Sequence, residues 1–439
     1  MNIIKITKEF QGRELTLETG KLAKQAGGSV FASWGETQVL ATATMGQQKV
    51  DRDFFPLSVD YIEKFYANGK IPGSYMKREA KPSNEEVHIA RLIDRPLRPL
   101  FSNEIRNEIQ IIITVMSLDK KTPSDILALI AASAALMISD IPFEKAVGAV
   151  RVGYIDGKLV INPLQDDLSS LDLDLIVAGT DSAITMIEGG GNEIPEDKVL
   201  LAVKEAHEVI KALVDFQLEL VAKAQKPKKT VELFTWSDEL KKALEEKYFN
   251  RLQAILNIPS KIERENKRAT LYEEIQENFN HQETLPVEQI RGLLYKMESS
   301  IVRDMILNKN QRPDGRELTA LRDLHCAINT LAKPHGSALF TRGETQALGI
   351  VTIGSEKDKQ KIDLTKETYN KDFLLHYNFP PFSVGEVSRL VSIGRREIGH
   401  GILAERSLQF TLPKKEDYDF TIRLVAEILE SNGSSSMAT

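Results

Sequence analysis

The segment Gly28–Gly46, GSVFASWGETQVLATATMG, returns in altered form as Gly336–Gly354, GSALFTRGETQALGIVTIG. Further matches follow in the same order. Asp53-Phe54-Phe55 pairs with Asp372-Phe373-Leu374, Lys77-Arg78-Glu79 with Arg395-Arg396-Glu397, and the apolar run Ile109–Met116 with Phe420–Ala426. Two generic hairpins with similar turns would account for one such match, but not for a series in order. A chain that repeats itself in this way builds one unit twice. The expected fold is α+β, with two related mixed domains in tandem.

The unit can be read from residue patterns. Leu15–Leu17, Val30–Ser33, Val39–Ala43 and Leu57–Tyr61 are short alternating strands, punctuated by Gly27, Gly28, Gly35 and Gly46. Ile109–Met116 is another strand. Ser124 reads as the cap of an apolar helix over Asp125–Ile138. Alternating Asp and Leu at 171–175 predict a strand with one wet face, Gly189–Asn192 a loop, and Pro195 to Ala224 a long helix. Residues 226 to 310 are rich in Lys, Glu, Leu and Gln at helical spacing. The basic run Lys226–Lys229 opens this segment and the turn Arg312-Pro313-Asp314-Gly315-Arg316 closes it. The expected division is a first mixed domain over 1–225, an all-helical domain over 226–310, and the N-terminal part of a second mixed domain over 311–439.

Composition narrows the function classes. The 439 residues exceed one compact core. No apolar run is long enough to span a bilayer, and the start, MNIIKITKEF, has no signal-like apolar core, so neither membrane insertion nor export is expected. Cys326 is the single cysteine, which excludes an internal disulfide and a zinc site built from clustered cysteines. With a formal net charge of −6, nucleic-acid binding requires positive charge gathered locally.

Three places gather chemistry. Arg395 and Arg396, in a loop-like stretch, precede Glu397 and a His400 set between Gly399 and Gly401. Guanidinium forks suit phosphate oxygens, although a paired arginine alone also fits a solvated loop. Ser431-Asn432-Gly433-Ser434-Ser435-Ser436 follows a strand and should open a helix, which makes an anion nest. A linker would not stand where the first copy starts its buried helix. In the first copy, Lys70, Lys77, Arg78 and Lys81 surround Tyr75 in a Gly/Pro-rich loop, and Arg91, Arg95 and Arg98 follow at helical spacing. Basic side chains beside an aromatic suit single-stranded nucleic acid, with interleaved Glu79, Glu85, Glu86 and Asp94 leaving ordinary surface charge open. His376, in an apolar strand, reads as structural.

The segments FFPLSVDY, IPGSYMKRE, ARLIDRPLRPLF, RPDGRE, HGSALFTRGETQAL, HYNFPPFSVGE, RREIGHG and ESNGSSSMA together resemble the bacterial polynucleotide phosphorylase family, in order and along the whole chain. The resemblance implies two RNase PH-type domains of ribosomal-protein-like βαβ fold around a helical domain. It also implies a cytoplasmic homotrimeric ring that threads single-stranded RNA, degrades it from the 3′ end with inorganic phosphate, and releases nucleoside diphosphates. Magnesium, a part in mRNA turnover and docking in an RNA-degradation complex come with it. By position, Arg395, Arg396, His400, Ser435 and Ser436 would be catalytic. Ser434, Ser435, Ser436, Arg396 and His400 would hold phosphate. Tyr75, Met76, Lys77 and Arg78 would form a constriction, and Arg91, Arg95, Arg98 and Arg316 would hold the RNA backbone.

Two departures matter. The usual constriction has two aromatics and two arginines, whereas here a thioether and an ammonium replace one of each. The family's metal segment reads Asp-x-Asp-x-Lys late in the second copy. The first copy offers Asp172-Leu173-Asp174-Leu175-Ile176 instead, and the working segment is expected roughly three hundred residues beyond Asp174, past Thr439. No metal ligands are therefore expected in this chain, and the first copy should hold RNA without cutting it. A catalytically inactive RNA-binding ring or scaffold subunit is the alternative. A single-copy tRNA-trimming phosphorolytic enzyme is disfavoured by the duplication and the helical insert.

Overall fold

The computed structural model describes residues 2–50, 54–73, 75–119, 121–236, 238–279, 287–390, 392–413 and 419–439. Asp53, one member of the repeat matches, lies outside them. In the first copy, β1 (Ile4–Phe10), β2 (Arg13–Thr19), β3 (Gly28–Trp34), β4 (Thr37–Lys49) and β5 (Leu57–Glu63) precede helix α1 (Asn84–Leu97), and β6 (Asn107–Ser117) leads into α2 (Ser124–Ile138). The strands form one sheet in the order β1-β2-β3-β4-β6-β5, with β5 parallel to β6. Then β7 (Gly148–Ile155), β8 (Lys158–Ile161), β9 (Leu173–Gly179) and β10 (Ile184–Gly191) form a second sheet, ordered β10-β9-β7-β8, followed by α3 (Glu196–Ala224).

Burial follows from the sequence periods. Along β4, Thr37, Val39, Ala41 and Ala43 point inward and are buried. Helix α2, SDILALIAASAALMI, is apolar all round and is buried from Ile126 to Ile138, so it packs between layers: β3 and β4 on one side, α3 and β7 on the other. Gly28 permits this, because the Ala135 carbonyl of α2 occupies the place a β-carbon would take. Among the described residues no helix is long and apolar enough to cross a membrane.

Helices α4 (Asp238–Leu256), α5 (Lys261–Phe279) and α6 (Val287–Lys309) share a separate core, to which α4 contributes Leu240, Leu244, Tyr248 and Leu252 at four-residue spacing. The second copy follows as β11 (Leu324–Ile328), β12 (Gly336–Arg342), β13 (Gln346–Gly354), a small hairpin of β14 (Gln360–Asp363) and β15 (Thr368–Lys371), β16 (Phe373–Asn378), α7 (Arg395–Gln409), β17 (Thr421–Glu430) and the single turn α8 (Ser435–Ala438). Its sheet order, β11-β12-β13-β17-β16, is that of the first copy without the outermost strand, and β16 again runs parallel to β17. Leu57 opposite Ile109 in one copy corresponds to Phe373 opposite Ile422 in the other, so Phe373 answers to Leu57 rather than to Phe54, and Ile422 rather than Phe420 answers to Ile109. The repeat in sequence is thus a repeat of topology.

Several elements differ from the sequence reading. Ser124 is not the helix cap. Pro123 holds that position, Ser124 is the first helical residue, and its hydroxyl meets Tyr61 Oη at 2.7 Å. Gly189, Gly190 and Gly191 do not form a loop but end β10, paired with Leu175, Asp174 and Leu173. Their missing side chains let β9 come close: the Asp174 carbonyl lies where a Gly189 β-carbon would sit. Residues 226–236 are extended and lie on the first copy rather than in a helix, with Lys226 N–H donating to the Ile138 carbonyl at 3.0 Å and Phe234 N–H to that of Glu104 at 2.8 Å. Lys228 caps α2 by donating to the carbonyls of Leu136, Met137 and Ser139 at 3.1, 2.9 and 3.0 Å. Burial pulls its ammonium down to about 8.

The tight approach at Gly28 gives a direct test. Gly28→Ala forces α2 off the sheet and should cost about 1–3 kcal/mol, the usual penalty of overpacking. A lowered urea midpoint with an unaltered slope is the expected result.

Candidate active site between the two copies

The second copy builds its site around the end of β16. Tyr377 Oη lies 2.7 Å from Ser435 Oγ in a buried contact, and His400 packs edge-on against the same ring at 5.2 Å between centroids. Glu397 fastens α7 to the strand: Oε1 accepts from Phe379 N–H at 2.9 Å and Oε2 from Gly394 N–H at 2.7 Å. Arg396 and His400 are therefore one turn apart on a helix face near its positive end, not in a loop. The glycines that suggested a loop are needed for packing. Gly401 faces Tyr377, with 3.5 Å between a would-be β-carbon and the ring-bearing carbon, and Gly399 lies directly against the Arg91 guanidinium of the first copy.

The serine turn is supported from below. Gly433 takes φ +120°, and Ser434 Oγ accepts from Met437 N–H at 3.3 Å and lies 3.4 Å from Ser436 Oγ. Ser435 is buried and its hydroxyl engages Tyr377, which leaves Ser434 and Ser436 facing outward. Arg322 donates to the Asn432 carbonyl, and Arg342 to that of Ser434 at 2.8 Å. Sequence reasoning missed Tyr377, Arg322 and Arg342. The repeat held one signal, since Arg342 stands where the first copy has Trp34. Arg316 pairs with Asp314 at 2.7 Å and donates to the Ala320 carbonyl at 3.2 Å, close enough to Arg322 for mutual repulsion.

The remaining arginines separate. Arg91 reaches α7 and shares its field with Arg396 and His400. Burial first, then Arg95 and Arg396, lower its basicity. His400 is likewise held below an ordinary histidine, by burial and then by Arg396 and Arg91. Arg95 pairs with Glu188 of β10. Arg98 is engaged by Asp94 at 2.8 Å and by the carbonyls of Phe55 and Leu57 at 3.3 and 3.0 Å, and Arg395 by the Val59 carbonyl at 2.6 Å and by Asp60. Tyr75, Met76, Lys77 and Arg78 project exposed from their loop, with Lys77 at φ +48°. Lys70 instead donates to the Leu364 carbonyl at 3.2 Å. His376 accepts from Arg423 Nε at 3.2 Å.

The first copy has the same frame with opposite chemistry. Tyr61 meets Ser124 as Tyr377 meets Ser435, and Glu86 accepts from Glu63 N–H at 2.8 Å as Glu397 does from Phe379. By this frame the counterparts of Arg395-Arg396-Glu397 are Asn84-Glu85-Glu86, not Lys77-Arg78-Glu79, and Ile89 stands in place of His400. A cavity of about 400 Å³ there is lined by Glu63, Glu85, Asp125, Asp174 and Glu188 against Arg151, Lys366 and Arg406. Arg151 holds Asp125 at 2.6 Å and Asp174 at 3.2 Å. This surround repels an anion. Among the described residues no group of three His, Cys, Asp or Glu could hold a metal ion, so the residues present do not fit magnesium.

Arg396→Ala should raise the titration midpoint of His400 while burial still holds it below that of a free histidine. Following the ring proton resonances from about pH 5 to 8 measures this. An unmoved midpoint would separate the two residues electrostatically.

Comparison with known proteins bears on the same regions. The 3′ exoribonuclease family, domain 1, matches twice, over residues 11–142 and 320–439. Domain 2 of that family matches 145–209, and the polyribonucleotide nucleotidyltransferase RNA-binding domain matches 239–317. The chain is 49% identical over 440 residues to the polyribonucleotide nucleotidyltransferase of Brachyspira hyodysenteriae, 47% over 435 to that of Heliobacterium modesticaldum, and 47% over 438 to that of Treponema denticola. These alignments take in 100, 98 and 99% of this chain and 62, 61 and 63% of the relatives. With both core-domain descriptions matched, the first of them in each copy, the chain belongs to the 3′ exoribonuclease family.

Proposed function

We propose that this chain grips the 3′ end of single-stranded RNA and holds inorganic phosphate for phosphorolysis of the terminal nucleotide. The carrying observation is the convergence of Arg91, Arg396 and His400 beside the serine turn, while Glu397 is occupied by backbone N–H groups. The two crowded guanidinium groups, Arg91 and Arg396, are stabilised opposite an anion. Arg396, with Ser434 and Ser436, would replace the water around a hydrogen phosphate and align it in line with the scissile bond. A phosphate oxygen bonds to the 3′-terminal phosphorus as the bond to the preceding 3′ oxygen breaks. The hydrogen phosphate gives up its proton and the departing 3′ oxygen gains one, so the balance is RNA plus phosphate to a shortened RNA plus a nucleoside 5′-diphosphate. His400, its basicity lowered, is neutral near pH 7 and can pass a proton at either ring nitrogen. Ser435 and Arg395 support this arrangement, through Tyr377 and Asp60.

The same reading gives Arg91, Arg95, Arg98 and Arg316 to the RNA path, directly or by shaping it, and Tyr75 to Arg78 to its constriction. The helical segment resembles an RNA-binding domain of the relatives. A homotrimeric ring, a cytoplasmic place in mRNA turnover, an RNA-degradation complex and magnesium belong to the proposal as properties of the longer protein. RNA binding without cleavage is the second reading. It is favoured by Arg151, which pairs with Asp125 at 2.6 Å and with Asp174 at 3.2 Å and so engages two carboxylates of the first copy.

The test is phosphate-dependent release of nucleoside diphosphates from labelled single-stranded RNA, with magnesium, by the 439-residue chain. Release that falls roughly 10²–10³-fold in Arg396→Ala supports phosphorolysis at this site. Release unchanged in that variant removes Arg396 from the chemistry. Binding without release supports the second reading.

A further inference from the structure

The loop bearing Tyr75–Arg78 belongs to the first copy, but it rests on the second. Between β13 and β16, residues 355–372 have room for the β14–β15 hairpin, which pairs Gln360 with Lys371 and Asp363 with Thr368. The corresponding connection in the first copy, from Lys49 to Leu57, is too short for one. The hairpin's turn faces the loop. Asn68 Nδ2 donates to the Thr365 carbonyl at 3.0 Å, and Lys70 Nζ to the Leu364 carbonyl at 3.2 Å. At Gly73 a β-carbon would stand 2.5 Å from Asp363 Oδ2, and Thr365 is buried.

The acceptors are held rigidly. Leu364 N–H donates to the Glu367 carbonyl at 2.8 Å, and Thr368 Oγ1 to Asp363 Oδ1 at 2.9 Å. The hairpin also reaches both helices of the site: Lys366 pairs with Glu85 of α1 at 2.5 Å and Lys371 with Glu405 of α7 at 2.6 Å. We infer that the β14–β15 hairpin is the seat of the Tyr75–Arg78 loop, and that Asn68 and Lys70 are positioning residues that fix the loop's exposed tip relative to α7. An exposed tip with a loose base would be ordered only when RNA binds, at a cost in affinity, and a seated base meets that cost on folding. Lys70 thereby serves the seat rather than the RNA backbone. The inference rests on the reading of this loop as an RNA grip.

A double-mutant cycle tests it. Affinity for a fluorescent single-stranded RNA is measured at fixed salt for the full chain, Tyr75→Ala, Asn68→Ala with Lys70→Met, and all three changes together. The Asn68/Lys70 pair should weaken binding by roughly five- to a hundredfold, the range set by two hydrogen bonds. The triple variant should lose less than the sum of the two separate losses, because the seat acts through the tip. Lys70→Arg keeps the donor and should retain affinity. Gly73→Ala, which displaces Asp363, is an independent route to the same loosening. Additive losses, or Asn68/Lys70 and Gly73 variants that bind like the unaltered chain, overturn the seat. If Tyr75→Ala binds as the unaltered chain does, the loop is no RNA grip, and the broader reading of this loop falls with the seat.

Discussion

The Arg91 guanidinium lies against the bare backbone of Gly399, and this contact sets how α1 of one copy meets α7 of the other. A side chain at Gly399 would displace the Arg91 guanidinium from its place beside Arg396 and His400. The arrangement crowds positive charge, which costs free energy. Ties across the same seam offset that cost: Arg395 to Asp60, Lys366 to Glu85, and Asn68 to the Thr365 carbonyl. Like charges crowded in this way, with each pKa moved by burial and by its neighbours, are the physical basis of the proposed phosphate site.

Duplication explains how the seam arose and why its two sides differ. Each copy ties a strand end to a helix start with a tyrosine–serine contact, and each anchors its next helix with a glutamate on a backbone N–H. On this shared frame, Glu85 and Ile89 stand where the other copy has Arg396 and His400. One frame thus surrounds an acidic cavity in which Arg151 pairs with two of the carboxylates, while the other presents cations to solvent. The chemistry resides in the side chains placed on the frame, not in the frame itself.

Much of the fold was legible because strand and helix periods are local. Inward residues at every second position of β4, and the uninterrupted apolar run of α2, can be read without knowing any partner. Helix α7 was not legible, because Gly399 and Gly401 each lower helix propensity by about 1 kcal/mol, and only the approach of Arg91 and Tyr377 explains them. The glycines of β10 misled for the same reason. The match of Lys77-Arg78-Glu79 to Arg395-Arg396-Glu397 rested on residue type, and the hydrogen-bonded frame moved it to Asn84-Glu85-Glu86.

The sequence by itself determined that one α+β unit occurs twice around a helical insert, since a repeat in order is visible along the chain. It also determined which segments carry the serine turn and the basic clusters. Only the tertiary structure decided which cations are taken up by neighbouring acceptors. Arg91 lies against Gly399 of α7 and Arg396 is exposed one turn from His400, whereas Arg98, Arg395 and Lys70 are engaged by carbonyls and carboxylates from distant segments. A guanidinium or ammonium takes whatever acceptor lies within about 3 Å, and folding, not sequence distance, brings that acceptor near.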